Sequence, residues 1–153
     1  MTKNINKSLA RYYSVQAIYQ KMLSSMTFNQ IIDEFSVIED REIFFNFEKS
    51  IKTKDLDVDI EYFIQIIRNL QNNETKIIYL IENNLSEKWK LDRLPILLNC
   101  ILLSAVSEIT LTPKLSLGII ASEYIILTET FFLEKESSFV NAVLSNIYKI
   151  KMK

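Results

Sequence analysis

The chain has 153 residues, of which 48% are hydrophobic and 24% charged, and its net charge is −1. These values are typical of a folded chain long enough for one domain, and they exclude a disordered polymer. The sequence contains no histidine, one glycine and one cysteine. That composition excludes histidine relays, glycine-rich nucleotide loops, disulfide frameworks and zinc–thiolate cages. We therefore expect one domain over residues 1–153 that is not an enzyme and that uses no metal and no cofactor.

Residues that make tight turns are rare along the whole chain. Pro95, Pro113 and Gly118 are its only prolines and glycine, and the Asn-Gly and Asp-Gly pairs typical of β-hairpins are absent. A helical bundle needs few such residues, because its connections can be short and polar. The sequence therefore predicts an all-α fold of about seven helices.

The first predicted helix separates basic from apolar residues. Residues 1–32 contain four basic residues and no acid, and Lys3, Lys7 and Arg11 fall within an arc of roughly 80° at about 100° per residue. Apolar residues occupy the neighbouring side: Tyr12, Val15, Tyr19, Met22 and Leu23. Such a helix suits nucleic-acid phosphates, a membrane surface or a transit peptide, and a solvated helix face is the plain alternative. The apolar stripe favours packing on a core and argues against a transit peptide.

The next segment is acidic, with ten acids and four bases in residues 33–62. Thr27 is predicted to cap a short helix that ends at Phe35, and residues 36–56 receive no assignment. Asp55, Asp57 and Asp59 precede the following predicted helix. Carboxylates there favour the positive end of the helix dipole, which is the interpretation that we prefer over a metal site or an acid–base pair.

Four further helices are predicted after the Asn72-Asn73 pair. The first ends near residue 86, and the second is long and apolar, with Asp92 as its cap, Pro95 in its first turn and its end at Leu111. The third covers residues 115–132, and the last begins at Ser137 or Ser138 and ends at Lys149. The apolar run 94–106 is shorter than the roughly 20 residues that span a bilayer, and residues 1–7 lead into no signal-length apolar stretch. We therefore expect a cytoplasmic protein without a membrane partner.

Four sequence motifs, in the same order along the chain, resemble the NusB transcription antitermination family. Residues 10–19, A-R-x-x-S-V-Q-A-I-Y, resemble the family's A-R-x-x-A-V-Q-A-L-Y. Residues 89–109 resemble its W…R-L…I-L-R-x-x-x-x-E-L segment, and residues 122–124, S-E-Y, lie where the family has N-E. Residues 139–144, F-V-N-A-V-L, resemble its closing F-V-N-G-V-L. The resemblance covers residues 7–149.

The resemblance implies a NusB-like fold of two packed helical sub-bundles and no catalysis. It implies a transcription antitermination factor that binds single-stranded boxA-type RNA together with the ribosomal protein NusE and joins the RNA polymerase antitermination complex. A homodimer is left open. For RNA binding, Lys3, Lys7 and Arg11 are the candidate phosphate ligands, and Tyr13 and Phe139 are the candidates for stacking on bases, Phe139 through its place in the family motif.

Two other functions remain open from the sequence. One is a degenerate NusB-like scaffold for protein interactions, and the other is the NusB-like accessory domain of a ribosomal RNA cytosine methyltransferase. The second would need a cofactor-binding domain, which we do not expect here because no such segment follows within the 153 residues. The chain also departs from the family motifs at Leu103, Ser122 and Ala142, which replace an arginine, an asparagine and a glycine. Fewer phosphate contacts are therefore expected than in a typical member.

Overall fold

A computed structural model shows that the chain is built from helices and one small hairpin. It describes residues 2–36, 42–46, 49–52, 58–85, 90–111 and 117–151, with the backbone alone for 2–5, 42–46, 49–52, 117 and 151. The elements in this part are α1 (Thr2–Leu23), α2 (Phe28–Ser36), β1 (Glu42–Asn46), β2 (Lys49–Lys52), α3 (Ile60–Asn72), α4 (Glu74–Glu82), α5 (Ile96–Leu111), α6 (Leu117–Phe131) and α7 (Glu134–Lys151). The all-α prediction with about seven helices is confirmed. No helix in the described ranges is long and apolar enough to cross a bilayer.

Side-chain caps begin two of the helices where the sequence predicts them. The backbone N–H of Gln30 donates to Thr27 Oγ1 at 3.1 Å, and the N–H of Thr27 donates to Gln30 Oε1 at 2.9 Å, which is a reciprocal capping box for α2. Asp59 accepts from the N–H of Tyr62 at 2.9 Å and so caps α3. Its prediction as a helix-terminal carboxylate is confirmed, while Asp55 and Asp57 lie outside the described residues.

The predicted start of the long apolar helix is wrong by several residues. Leu91–Arg93 forms a separate 3₁₀ turn, and Leu94 is extended, with φ −70° and ψ 150°. A residue before proline is held out of the helical region by the proline ring, so the helix cannot run through Leu94 into Pro95. The carbonyl of Pro95 accepts the first helical bond, from the N–H of Asn99 at 3.0 Å. The helix α5 therefore begins at Ile96, after Pro95 rather than around it.

The start of the last helix was also predicted too late. α7 begins at Glu134, and Glu136 Oε1 accepts from the N–H of Leu133 at 3.1 Å, just before the first turn. Ser137 lies inside the helix, where its hydroxyl donates to the carbonyl of Glu134 at 3.0 Å. The helix-initiating group is therefore a glutamate, and not the serines that the sequence suggested.

The core is organised around α5, whose residues Cys100–Ile109 are all buried. The helices α1, α2 and α3 pack on one another, α6 and α7 pack on one another, and α5 contacts α1, α3, α4, α6 and α7. This arrangement gives the two sub-bundles that the family resemblance implied. The hairpin of β1 and β2 is antiparallel, pairs Glu42 with Lys52 and Ile43 with Ile51, and lies beside α6. It occupies part of the segment 36–56 that the sequence left unassigned.

Candidate nucleic-acid interface

The N-terminal half of α1 carries a buried arginine that is paired with a buried carboxylate of α5. Arg11 Nε lies 2.8 Å and 3.0 Å from the two carboxylate oxygens of Glu108, and Nη2 lies 2.8 Å from Oε2. The side chain of Arg11 is 4% exposed and that of Glu108 is fully buried. Charged groups are buried in proteins only when paired and hydrogen-bonded, and this fork-shaped contact satisfies both charges.

Two tyrosines complete the shell of donors around Glu108. The hydroxyl of Tyr62 on α3 donates to Oε2, and that of Tyr124 on α6 donates to Oε1 at 3.1 Å. Ser104 Oγ lies 2.9 Å from the Tyr124 hydroxyl. One carboxylate therefore joins α1, α3, α5 and α6. We call Arg11, Glu108, Tyr62, Tyr124 and Glu123 the buried polar cluster.

Glu123 is the member of the cluster nearest to solvent. Its Oε1 lies 3.3 Å from Arg11 Nη1, and its side chain is 27% exposed. Ser8 Oγ, one turn before Arg11 on α1, donates to the same carboxylate at 2.9 Å. Glu123 thus braces α6 against α1.

Burial and charge shift the proton affinities within the cluster. Burial alone would lower the pKa of the Arg11 guanidinium, but the hydrogen bond and the negative charge of Glu108 outweigh it and raise that pKa. Burial, reinforced by the charge of Glu108, raises the pKa of Tyr62 and of Tyr124. The tyrosines therefore remain neutral donors, and the arginine remains charged.

The structure contradicts the sequence prediction that Arg11 binds RNA phosphates. The residue is 3% exposed, and two carboxylates already neutralise its guanidinium. A phosphate ligand must reach solvent, and this side chain does not. The helical wheel predicted an exposed basic face, but α2, α3, α5 and α6 all pack on α1. Both faces of α1 are therefore buried from Leu9 to Val15.

Tyr13 is also wrong as a base-stacking candidate. Its side chain is 0% exposed and makes edge-on contacts with Phe35 and Phe63, at ring-centroid distances of 5.8 Å and 6.0 Å. These three rings tie α1, α2 and α3 together. A ring enclosed in this way cannot stack on a splayed base.

Three candidate RNA-binding residues remain. Lys7 is half-buried, and its Nζ lies 4.8 Å from the centroid of the Tyr62 ring. Lys3 lies in the first turns of α1, and its side chain is outside the described part of the chain. Phe139 is half-buried on α7, packed against the core. The structure therefore brings Lys7 next to the buried polar cluster and puts Phe139 on a different helix.

A second surface feature lies on the C-terminal half of α1. There α1, α2, α5 and α6 surround a groove of about 720 Å³, with a lining that includes Tyr19, Leu23, Phe35, Leu97 and Phe131. Tyr19 is 39% exposed and Leu23 is 57% exposed. The prediction that the whole apolar stripe of α1 packs on a core holds for Tyr12 and Val15 only. Exposed apolar side chains around a groove are typical of protein interaction sites.

Sequence reasoning missed Glu108 as the centre of the buried polar cluster. It is the only charged residue of α5, in a helix that is otherwise apolar or neutral. A charge in such a helix requires a buried partner of opposite sign. This signal identifies Glu108 as a paired residue, although the sequence does not say which cation pairs with it.

A helical fold with a basic helix end and an exposed apolar groove is typical of a binding protein. The profile of the NusB family matches residues 8–149, and the chain belongs to that family. NusB transcription antitermination protein of Rickettsia bellii is 30% identical over 143 residues, which are 92% of this chain and 88% of that protein. The same protein of Brucella ovis is 28% identical over 142 residues, 92% of this chain and 79% of the relative.

Two solved structures share the fold. NusB of T. maritima superposes with a TM-score of 0.72 and 23% identity, covering 93% of this chain and 89% of that chain. The second comes from a complex of NusB and NusE with double-stranded RNA, with a TM-score of 0.73 and 22% identity, covering 98% and 99% of the two chains. The family membership confirms the expectation of a transcription antitermination factor that is not an enzyme.

Proposed function

We propose that this NusB-family chain acts in antitermination by binding boxA-type single-stranded RNA and NusE together. The observation that carries the proposal is the family match over residues 8–149 on a chain that has the NusB fold. The proposal keeps residues 1–153 as one NusB-like domain in the cytoplasm, where bacterial transcription takes place. It also includes entry of the pair into the RNA polymerase antitermination complex.

The RNA is proposed to lie on the N-terminal end of α1 and on α7. Lys7 supplies a cation at the surface there, and Lys3 precedes it by one turn. The contact of Ser8 with Glu123 holds this end of α1 on α6, and α6 packs along α7, which carries Phe139. Cations that neutralise phosphates and an aromatic ring for a base are the groups that single-stranded RNA requires.

NusE is proposed to dock in the groove at the other end of α1. The groove exposes apolar side chains, and Gln20 of its lining donates to the carboxylate of Glu34 at 3.0 Å. Asp33 is exposed next to Glu34 on α2, and Lys21 follows Gln20 on α1. An apolar centre with carboxylates at one edge complements a basic ribosomal protein. The groove lining begins at Tyr12, beyond Lys7 along α1, so the two partners are proposed to occupy different parts of this helix.

The direct test is binding of a labelled boxA-type RNA to the chain, to NusE and to their mixture, measured by fluorescence anisotropy. We expect the mixture to bind more tightly than either protein alone. Failure of the chain and of the mixture to bind at high micromolar protein would overturn the RNA function. If NusE still bound in that case, the protein-interaction scaffold would be the better function.

Two tyrosines provide a matched pair for locating the NusE surface. Tyr19 lines the groove, whereas Tyr79 is 66% exposed on α4, away from the groove lining. We expect Tyr19→Ala to weaken the complex with NusE at least tenfold, the loss of an aromatic anchor, and Tyr79→Ala to leave it unchanged. Equal effects of the two substitutions, measured by calorimetry, would exclude the groove. Sedimentation of the chain alone shows whether a homodimer occupies the groove instead.

A further inference from the structure

Glu123 is an acidic residue beside the proposed RNA surface. Its carboxylate accepts from Ser8 Oγ at 2.9 Å, and Ser8 is the neighbour of Lys7 in α1. Its side chain is 27% exposed, whereas the other carboxylate of the cluster, that of Glu108, is fully buried. A phosphate that approaches Lys7 therefore meets a partly solvated negative charge.

The charged residues of the buried polar cluster do not make the surface around Lys7 more basic. Arg11 and Glu108 neutralise each other through the fork-shaped contact, and Glu123 then leaves the three residues with a net charge of −1. That charge lies at the same end of α1 as Lys7, because Ser8, the neighbour of Lys7, donates to Glu123. At physiological salt, charges closer than about one Debye length, roughly 8 Å, are only partly screened.

We propose that Glu123 limits the RNA affinity of the chain by opposing phosphates at the N-terminal end of α1. The inference rests on the proposed function and adds to it a residue that lowers the affinity for RNA. Because Glu123 opposes any polyanion at this end, RNA binding depends on the contacts that NusE and the α7 surface contribute. Besides bracing α6 against α1, Glu123 acts on RNA through its charge, and glutamine at this position removes the charge while it keeps a hydrogen-bond acceptor.

The test compares Glu123→Gln with Glu129→Gln. Both substitutions raise the net charge by one on the same helix, and Glu129 is exposed. Glutamine at 123 keeps an oxygen that accepts from Ser8 and Arg11. In the presence of NusE, we expect Glu123→Gln to bind boxA-type RNA roughly threefold more tightly at low ionic strength, and Glu129→Gln to match the unchanged chain. The gain should disappear near 1 M salt, where the Debye length is about 3 Å.

A purely structural role for Glu123 gives a different result. Loss of a brace would lower the melting temperature and weaken RNA binding at every salt concentration. That result, or equal affinities for the unchanged chain and both variants, would overturn the inference while leaving the proposed function standing. Absence of RNA binding by the unchanged chain and by both variants with NusE would overturn the proposed function and the inference together.

Discussion

Arg11 illustrates how a buried charge depends on its partners. Taking two ions out of water costs several kcal/mol each, and the paired geometry offsets that cost only while both partners remain. Removing one partner leaves the other charge buried without compensation. We therefore expect Arg11→Met to lower the free energy of unfolding by about 3–5 kcal/mol, measured by urea denaturation.

A double variant shows how much of the lost stability comes from leaving one charge unpaired. Arg11→Met with Glu108→Leu removes both charges and keeps their volume, so part of the lost stability should return, as is common for buried ion pairs replaced by apolar residues. The recovery is limited because the Tyr62 and Tyr124 hydroxyls lose their acceptor. Glu129→Gln serves as the surface control. A single Arg11→Met variant within about 1 kcal/mol of the unchanged chain would show that the pair behaves like an exposed salt bridge.

Two buried tyrosines predict opposite responses to the loss of a hydroxyl. The Tyr62 hydroxyl donates to Glu108, so Tyr62→Phe should cost about 1–3 kcal/mol of unfolding free energy. The Tyr13 hydroxyl is buried and has no hydrogen-bond partner among the described residues, so Tyr13→Phe should be neutral or stabilising. Chemical denaturation of the two variants in parallel checks the contrast, and an equal loss of stability in both would contradict it.

The raised tyrosine pKa values predict loss of stability in alkali. Tyr62 and Tyr124 have pKa values above the ordinary value of about 10, so above that pH the unfolded chain releases protons that the folded chain keeps. The free energy of unfolding therefore falls with rising pH, by up to about 1.4 kcal/mol per pH unit for each tyrosine, and it is unaffected by them below pH 10.

Denaturation between about pH 10 and pH 12 measures this slope. Burial also raises the pKa of Cys100 to about 12, which adds a third group with the same sign. Tyr62→Phe removes one of the three, so its slope should be shallower. If the slope of Tyr62→Phe equalled that of the unchanged chain, Tyr62 would not contribute to the pH dependence of stability.

At the scale of elements, the capping box of α2 contributes to stability through local contacts that one substitution can remove. Thr27→Ala removes the side-chain acceptor of the Gln30 N–H and should cost about 1 kcal/mol. Ser25→Ala, in the exposed connection before it, is the control and should change stability by less than about 0.5 kcal/mol. Thermal denaturation followed by circular dichroism checks both. Equal melting temperatures for the two variants would show that the box contributes nothing measurable.

Helix positions were largely predictable because caps and apolar periodicity are local properties. Thr27 and Asp59 cap the helices that the sequence assigned to them. The start of α5 was missed because the restriction imposed by Pro95 on Leu94 was given less weight than the capping ability of Asp92. The hairpin of β1 and β2 was missed because no turn residue of the usual kind marks it.

The site was harder to predict than the fold, because exposure depends on neighbours that are distant in sequence. A helical wheel orders the residues of α1 by direction, but four other helices decide which directions reach solvent. Hence Arg11 and Tyr13 are buried, while Tyr19 and Leu23 are exposed. The family motif contained both Arg11 and Glu108, yet it gave no reason to pair them.

For the whole molecule, burial of Arg11 changes the expected salt dependence of RNA binding. Each phosphate neutralised on a single strand contributes roughly 0.7 to the slope of log affinity against log salt, so Lys3 and Lys7 together contribute about 1.4. Lys7→Ala should lower the slope by about 0.7, and loss of its contact with the Tyr62 ring should cost no more than about 1 kcal/mol of stability. Lys76→Ala, an exposed lysine on α4, is the control. An unchanged slope for Lys7→Ala would place the phosphates elsewhere.

The distance in sequence between Arg11 and Glu108 has a consequence for synthesis on the ribosome. The two residues are 97 positions apart, and ribosomes add about 5–20 residues per second, so the arginine is made roughly 5–20 s before its carboxylate. Until α5 has left the ribosome, Arg11 has no buried partner for its charge, although α2 and α3 already offer Phe35 and Phe63 to the Tyr13 ring. The charge of Arg11 therefore waits for the second half of the chain, and a chaperone has several seconds in which to bind the helix that carries it.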